Sequence, residues 1–174
     1  PDTLGGLSVG GKVLASMFQS TTLRTAGFYT ISQAGLHDST SLICILFMII
    51  GGSPVGTAGG IKTISIALII LTVISVARED ENTVVFKREI PRNLIKKTLA
   101  VVSVALFAFI TSSVLLCQFN GGNVVDCIFE AASAVGTVGL SRDYTSTLGL
   151  AGKIIVICTM YLGRLGPITI ALAV

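Results

Sequence analysis

Long hydrophobic runs alternate with short polar or glycine-rich segments along the chain. Residues 98–117 are nearly uncharged and residues 150–174 are strongly apolar, and each run is long enough to cross a bilayer as one helix, which takes about 20 residues. Two other apolar runs, residues 41–50 and 64–77, are each too short to cross alone. The pattern therefore predicts an all-α chain in which full-length and half-length apolar helices are mixed.

Two further short segments are each followed by small residues. Residues 12–22 are amphipathic and residues 124–134 are apolar, and each predicts a helix too short to span a membrane. They lead into two similar tetrapeptides, one near the start of the chain and the other in its second half. These are Thr25-Ala26-Gly27-Phe28 and Thr137-Val138-Gly139-Leu140.

A second pair of landmarks repeats at the same offset. The interval from Gly27 to Gly51 equals the interval from Gly139 to Gly163. Gly51 and Gly163 are each expected to interrupt a hydrophobic helix. We interpret the two pairs as an internal repeat of a short helix, a loop and a longer helix. Chance repetition in a chain rich in Val and Gly is the alternative.

Composition places the chain in a membrane. Hydrophobic residues make up 52% of it and charged residues 12%, with a mean hydropathy of +0.87, whereas soluble domains carry about 25% charged residues. We expect a multi-pass protein of the plasma membrane. The net charge of +3 is small, so no nucleic-acid partner is indicated. The cysteines are expected to be small core hydrophobes, not metal ligands or disulfide partners: Cys44, Cys117, Cys127 and Cys158.

Charge is concentrated in one segment, residues 78–97, which contains half of the Lys and Arg residues. Positively charged loops stay on the cytoplasmic side, so we predict a cytoplasmic linker here, with docking of a cytosolic subunit as a second role. This divides the chain into residues 1–77, 78–97 and 98–174. Both ends of the sequence suggest a fragment of a longer protein, because it opens in a polar turn and stops within an apolar run.

The two tetrapeptides have the composition of an ion selectivity filter. A cation that leaves water needs replacement oxygens, which extended backbone carbonyls and threonine hydroxyls can supply. A glycine lets successive carbonyls point at one axis, and the negative end of the preceding short helix favours a cation. We therefore predict that all eight residues, 25–28 and 137–140, contribute to ion binding. Arg24 is expected to turn away and to hydrogen-bond carbonyls behind the loop.

The segment from Gly51 to Gly60 contains five glycines and a proline within ten residues, which excludes a regular helix. Unwound backbone at membrane depth persists only where it is buried in protein or lines a water-filled cavity. We predict a mobile intramembrane gate beneath the filter, and a surface turn is the alternative. Arg164, within an apolar run, is expected to act as an electrostatic barrier below the filter or, alternatively, to pack against carbonyls or an acid. The predicted gate residues are Gly51, Gly52, Ser53, Pro54, Gly56, Thr57, Gly59, Gly60, Lys62 and Arg164.

Other polar residues give no enzymatic constellation. Asp126 and Glu130 share one helix face and are expected to attract cations or to brace the filter by hydrogen bonds. Arg142 and Asp143 are expected to form a solvated turn. Ser53 and His37 are the nominal nucleophile and base, and His37 lies in a polar loop, so we predict no enzyme. A secondary transporter with discontinuous helices that binds an organic substrate, and a noncatalytic assembly subunit, remain alternatives.

Four motifs in order resemble the Trk/Ktr/HKT superfamily of potassium transporters, closest to the Ktr-type membrane subunit. They are STTLRTAGF, GGSPVGTAGGIKT, EAASAVGTVGLS and YLGRLGPITIALA. The resemblance implies potassium-channel-like units of outer helix, re-entrant pore helix with filter loop, and inner helix. Four units form one pore, and this chain would supply the third, without its outer helix, and the fourth.

The resemblance also carries expectations about ligands and partners. Potassium would be the transported substrate, sodium a possible coupling ion, and no cofactor would be bound by this chain. The membrane subunit would form a homodimer on a cytosolic ring of nucleotide-binding regulatory subunits. Gly27 and Gly139 would be filter glycines, residues 51–60 the gating loop, and Arg164 the inner-helix arginine. Phe28 and Leu140 replace the aromatic-glycine end of channel filters, which implies looser selectivity.

Overall fold

The computed structural model describes residues 3–53, 59–79, 83–85 and 88–172. Within these ranges the chain is helical, with one short antiparallel ladder between residues 83 and 90. The helices are α1 (Val9–Thr22), α2 (Asp38–Ile49), α3 (Thr63–Ala77), α4 (Arg92–Asn120), α5 (Val124–Gly136), α6 (Tyr144–Thr147) and α7 (Leu150–Leu172), and the strands are β1 (Val84–Val85) and β2 (Arg88–Glu89).

The short helix α5 lies at the centre of the molecule. It packs against α2, α4 and α7, and nine of its 13 residues are buried. Asn123 caps its first turn by accepting the amide of Val125 at 3.1 Å. One apolar cluster joins α5 to α2 around Phe129 and Met48, and another joins it to α4 and α7 around Leu116. A helix too short to span a membrane is thus enclosed by the short helix α2 and the long helices α4 and α7.

Two long helices, α4 and α7, pack against α5 and against each other. α4 has 29 residues and is the one helix among the described residues that is long and apolar enough to cross a membrane. It pairs with α7, and the hydroxyls of Ser112 and Thr159 lie 2.7 Å apart in their buried interface. α4 begins at Arg92, ahead of the predicted start at residue 98. The last part of the predicted linker is therefore helical.

Two half-length helices are joined by the glycine-rich segment. α2 has 12 residues and α3 has 15, so they are about 18 and 23 Å long at 1.5 Å per residue. α2 ends immediately before the glycine-rich segment, as the sequence predicts. The corresponding prediction for Gly163 is wrong, because α7 runs through it without a break. An internal glycine costs a helix only about 1 kcal/mol relative to Ala.

The charged segment contains a feature that the sequence did not indicate. Val84 pairs with Glu89 and Val85 with Arg88 in the antiparallel ladder, and the amide of Ile90 donates to the carbonyl of Thr83 at 2.9 Å. Part of the predicted linker is therefore a hairpin-like element between α3 and α4.

The prediction of a core position is confirmed for Cys44 and Cys127, which are buried. It is wrong for Cys158, which is exposed on α7.

Candidate functional site: two facing loops

Each predicted filter segment closely follows the C-terminal end of a short helix, α1 or α5. The two segments also share an unusual backbone conformation. Thr25 and Gly27 have φ angles of 71° and 77°, and their counterparts Thr137 and Gly139 have φ angles of 52° and 87°. Left-handed φ is uncommon for threonine. It recurs at the equivalent position of each tetrapeptide, so the two loops share both left-handed positions.

The second loop is fastened to its helix through Ser133. The amide of Val138 donates to the carbonyl of Ser133 at 2.9 Å. The amides of Gly139 and Leu140 donate to the hydroxyl oxygen of Ser133 at 3.2 and 3.0 Å. In a planar trans peptide the carbonyl of the preceding residue points opposite to the amide. The carbonyls of residues 137–139 are therefore directed away from α5.

The first loop is fastened to α1 through Thr22. The amides of Ala26 and Gly27 donate to the carbonyl of Thr22 at 3.2 and 3.4 Å, and the Thr22 hydroxyl donates to the carbonyl of Phe28. By the same peptide geometry, the carbonyls of Thr25 and Ala26 point away from the end of α1. Both loops thus use amides for internal bonds and turn successive carbonyls outward, whereas the Phe28 carbonyl at the end of the first loop is bonded to Thr22.

The two loops lie against each other. A Cβ atom added to Gly27 would lie 2.4 Å from the carbonyl oxygen of Val138 and 3.9 Å from the Cα atom of Gly139. A side chain at residue 27 is therefore excluded by both its φ angle and its neighbour. Added at Gly139, a Cβ atom would meet only the Cα atom of Gly27, at 3.9 Å. The structure brings the two predicted filter glycines together.

The loop side chains divide between the core and an open face. Val138 and Leu140 are buried in the cluster that joins α5 and α2. Ala26, Phe28 and Gly139 are exposed, and Thr25, Gly27 and Thr137 are partly buried. An open pocket of about 470 Å³ borders the first loop and is lined by Ser20, Thr21, Arg24, Thr25, Ala26, Gly52 and Ser53. Arg24 also lines this pocket and is exposed, and its predicted hydrogen bonds to carbonyls behind the loop stay a prediction.

The glycine-rich segment begins and ends beside the second loop. The amide of Gly51 donates to the carbonyl of Ile61 at 2.9 Å, and the amide of Ile61 donates to the carbonyl of Ile49 at 3.1 Å. These bonds close a neck between the two ends. A Cβ atom on Gly59 would lie 2.2 Å from the Thr137 hydroxyl, so the segment touches a predicted filter residue. Gly60 lies beside Gly136, and Lys62 is the N-cap residue of α3.

Three predicted gate residues, Pro54, Gly56 and Thr57, lie outside the described residues. Gly52 and Ser53, by contrast, line the open pocket together with the first loop.

The remaining predicted gate residue is on α7. A Cβ atom on Gly163 would lie 2.3 Å from the Val135 carbonyl oxygen, so α7 comes very close to the last turn of α5 there. Arg164 is the next residue and is exposed. Its backbone therefore lies at the level of the helix end that leads into Thr137.

A polar brace, formed by hydrogen-bonded side chains, accompanies each loop. Beside the first loop, the side-chain amides of Gln19 and Gln33 exchange hydrogen bonds of 2.7 and 3.1 Å. Beside the second, Glu130 accepts from the hydroxyls of Ser141 at 2.8 Å and Thr145 at 2.6 Å. Gln33 and Thr145 occupy equivalent positions of the repeat. The Glu130 contacts favour the bracing role over the attraction of cations, two roles that the sequence left open.

Arg142 contradicts the prediction of a solvated turn. Its side chain is only 8% exposed and lies 3.1 Å from a carboxylate oxygen of Asp38 and 3.3 Å from one of Asp126. It also donates to the carbonyl of Leu36 at 3.3 Å. The Nε atom of Arg142 is close enough to the Asp126 carboxylate to form an ion pair, but the geometry of this contact does not meet the requirements of a hydrogen bond. Sequence reasoning missed this cluster because Asp38 lies in the other half of the chain from Arg142.

The chain beyond the second loop is anchored by Tyr144. Its hydroxyl donates to the carbonyl of Gly121 at 2.7 Å, and the Cys127 thiol lies 3.3 Å from the same hydroxyl. Burial, together with the Cys127 contact, raises the pKa of the Tyr144 hydroxyl, so it keeps the proton that it donates.

Side-chain chemistry adds little to the site. Among the described residues, no three His, Cys, Asp or Glu side chains are grouped to hold a metal ion. His37 is the N-cap residue of α2. Its side chain is exposed and makes no capping hydrogen bond. The oxygens that the loops present are therefore mainly those of the backbone.

Residues 2–174 match the TrkH family, described as "Cation transport protein". The chain is 38% identical over 169 residues to the Ktr system potassium uptake protein B of Bacillus subtilis (strain 168), covering 97% of this chain and 38% of that protein. It is 36% identical over 171 residues to the protein of the same name from Vibrio alginolyticus, covering 98% and 38%. The chain thus spans well under half the length of these relatives.

A solved structure has the same fold. The crystal structure of the potassium transporter TrkH from Vibrio parahaemolyticus superposes with a TM-score of 0.76 at 21% sequence identity. The match covers 98% of this chain and 38% of that one.

Proposed function

Because the chain belongs to the TrkH family of cation transport proteins, whose members are membrane-embedded transporters rather than enzymes, we propose that it forms half of a pathway for potassium uptake across the plasma membrane. The relatives named as potassium uptake proteins support this substrate. The other half of the pathway would come from two further loops of the same kind in a protein of the relatives' length.

The observation that carries the proposal is the matched pair of adjoining loops. Residues 25–28 and 137–140 repeat the same left-handed positions, fasten their amides to their own helices, and turn successive carbonyls outward. Carbonyl rings replace the hydration shell of an alkali cation. The cation-binding groups would be the carbonyls of Thr25, Ala26, Thr137 and Val138, with those of Gly27, Gly139 and Leu140 continuing the path. The Phe28 carbonyl is not included, because it accepts the Thr22 hydroxyl.

Pore helices would add to the attraction for a cation. α1 and α5 both direct their C-terminal ends at the loops, and the C-terminal end of a helix carries a partial negative charge equivalent to about half an elementary charge. The two short helices would therefore dip into the membrane from outside, with the filter loops returning outward.

The glycine-rich segment would be the gate. Its end at Gly59 touches the Thr137 side chain, and Gly52 and Ser53 border the open pocket beside the first loop. A glycine-rich segment in this position can move without displacing side chains. Arg164 would add a positive barrier at the level of the helix end below the filter.

The family resemblance extends the proposal to partners. A homodimer of the complete membrane subunit would rest on a cytosolic ring of nucleotide-binding subunits, with sodium as a coupling ion. The charged segment at residues 78–97, which includes the β1–β2 ladder, is the proposed docking surface for the ring.

Growth rescue tests the proposal. The full-length parent protein should restore growth at low potassium to cells that lack potassium uptake, and Gly139→Ser should reduce potassium preference over sodium. Gly121→Ser is the matched control, since Gly121 also has a positive φ, 64°, but lies in open space away from the loops. A Gly139→Ser protein with unchanged preference would remove the filter assignment. Uptake of an organic solute instead of potassium would favour a secondary transporter.

A further inference from the structure

The strongest feature that the proposed function leaves unused is the buried guanidinium of Arg142. It joins two separate parts of the chain through three groups: Asp38 at the start of α2, the Leu36 carbonyl in the turn before α2, and Asp126 in the first turn of α5. Two of these belong to the first half of the chain and one to the second. An arginine has the planar, multi-donor geometry that such a junction requires, whereas lysine is a point charge.

The junction is continuous with both filter braces. On the first side, the Leu36 amide donates to the Gln33 carbonyl at 3.3 Å, and Gln33 is bonded to Gln19 on α1. On the second side, Arg142 follows Ser141, which is bonded to Glu130 on α5. The chain of contacts therefore runs from one pore helix to the other through a single side chain.

Burial makes this junction specific. The Arg142 side chain is 8% exposed, whereas those of Asp126 and Asp38 are 25% and 60% exposed. Removing one partner of a buried charge pair leaves the other charge uncompensated. A solvated surface pair would tolerate the same change with little effect.

We propose that Arg142 is a positioning residue that holds the two filter loops in register, and so sets cation selectivity without contacting the ion. This rests on the proposed function of the loops. Arg142 comes just after Leu140, and Asp38 follows Phe28 across the loop that leads to α2, so the junction ties the two filter loops together beyond the end of each.

The test measures the potassium-to-sodium uptake ratio and the potassium KM of the full-length parent protein in liposomes, at matched amounts of folded protein. Arg142→Gln should lower the ratio by roughly tenfold, because small misplacements of binding groups cost one to two orders of magnitude. Arg142→Lys should lower the ratio less than Arg142→Gln does, since lysine keeps the positive charge but lacks the planar, multi-donor guanidinium. Lys153→Gln, which removes an exposed cation in the first turn of α7, is the control and should leave the ratio unchanged.

A second variant tests the same contact in case the Arg142 variants do not fold. Asp38→Asn removes an exposed partner at the surface, and it should lower the ratio in the same direction. Combined with Arg142→Gln it should add little, because both break one contact. An unchanged ratio in a folded Arg142→Gln protein, or in Asp38→Asn, would overturn the positioning role. Failure of the unmutated protein to take up potassium would instead count against the proposed function.

Discussion

Gly27 and Gly139 lie side by side although they belong to opposite halves of the chain, and the Cβ position of each is 3.9 Å from the Cα atom of the other. Their loops have the same left-handed positions, but they are not equally crowded. The Cβ position of Gly27 lies 2.4 Å from the Val138 carbonyl oxygen, whereas that of Gly139 has no closer neighbour than Gly27. The two loops are thus repeated in conformation and distinct in packing.

This asymmetry predicts unequal effects of alanine. Gly27→Ala should abolish potassium preference, since the methyl group must displace the Val138 carbonyl. Gly139→Ala should weaken the preference less, because only the backbone strain of about 1–2 kcal/mol for a left-handed residue applies. Uptake of potassium and sodium by the full-length parent protein measures this. Gly121→Ala, strained but remote, controls for destabilisation, and equal effects at Gly27 and Gly139 would contradict the packing described here.

Ser133 should be essential to the second loop. Its hydroxyl accepts two consecutive amides, and Ser133→Ala leaves them without that acceptor at a cost of about 1–3 kcal/mol per buried group. We expect a lower thermal unfolding temperature and reduced potassium preference. Ser146→Ala is the control, since Ser146 is exposed and donates only to the local Asp143 carbonyl. A Ser133→Ala protein that matches the control in both measurements would show that the loop holds its shape without this hydroxyl.

Glu130 should act through structure and not through ion attraction. Glu130→Gln replaces one accepting oxygen by an N–H donor, so one of the Ser141 and Thr145 hydroxyls faces a donor. We expect a loss of stability of about 1–3 kcal/mol, seen in thermal unfolding, together with a changed potassium-to-sodium ratio. Slower uptake with unchanged stability and ratio would indicate the electrostatic role instead.

The glycine-rich segment should restrain flux. Replacing residues 54–58 with a shorter linker should raise cation flux, because the neck at Gly51 and Ile61 keeps the two ends together while the centre of the proposed gate is lost. Flux from liposomes is the measurement. Unchanged flux in a folded variant would argue that the segment is a passive connection.

Arg164 gives an independent test of the barrier. Arg164→Ala should increase cation flux by removing a fixed positive charge, and Arg164→Lys should keep flux close to that of the unmutated protein. Lower flux in Arg164→Ala, with folding intact, would instead indicate that the residue holds α7 in place.

Hydrophobic patterning predicts the helices well, because the short buried helix and the long apolar ones differ clearly in length. The end of α2 before Gly51 was predictable, since several glycines and a proline follow it. Helix starts were less so: α4 begins at Arg92 because charged residues are compatible with a helix end outside the apolar run. Gly163 was misjudged because a single glycine that packs against a neighbouring carbonyl stays helical.

The polar cluster was the least predictable part of the site. Arg142 stands beside Asp143 and Tyr144, a local sequence typical of a turn in water. Its carboxylate partners are Asp38 and Asp126, and nothing in the sequence shows that the fold brings the three together. Glu130 was singled out by its spacing from Asp126, but its partners Ser141 and Thr145 come into reach only because the loop folds back.

Anomalous scattering from rubidium, an analogue of potassium, would test the central claim most directly in crystals of the full-length parent protein. We predict a density peak between the two loops, coordinated by the carbonyls of Thr25, Ala26, Thr137 and Val138. A protein active in uptake whose rubidium peaks all lie away from these carbonyls would contradict the account.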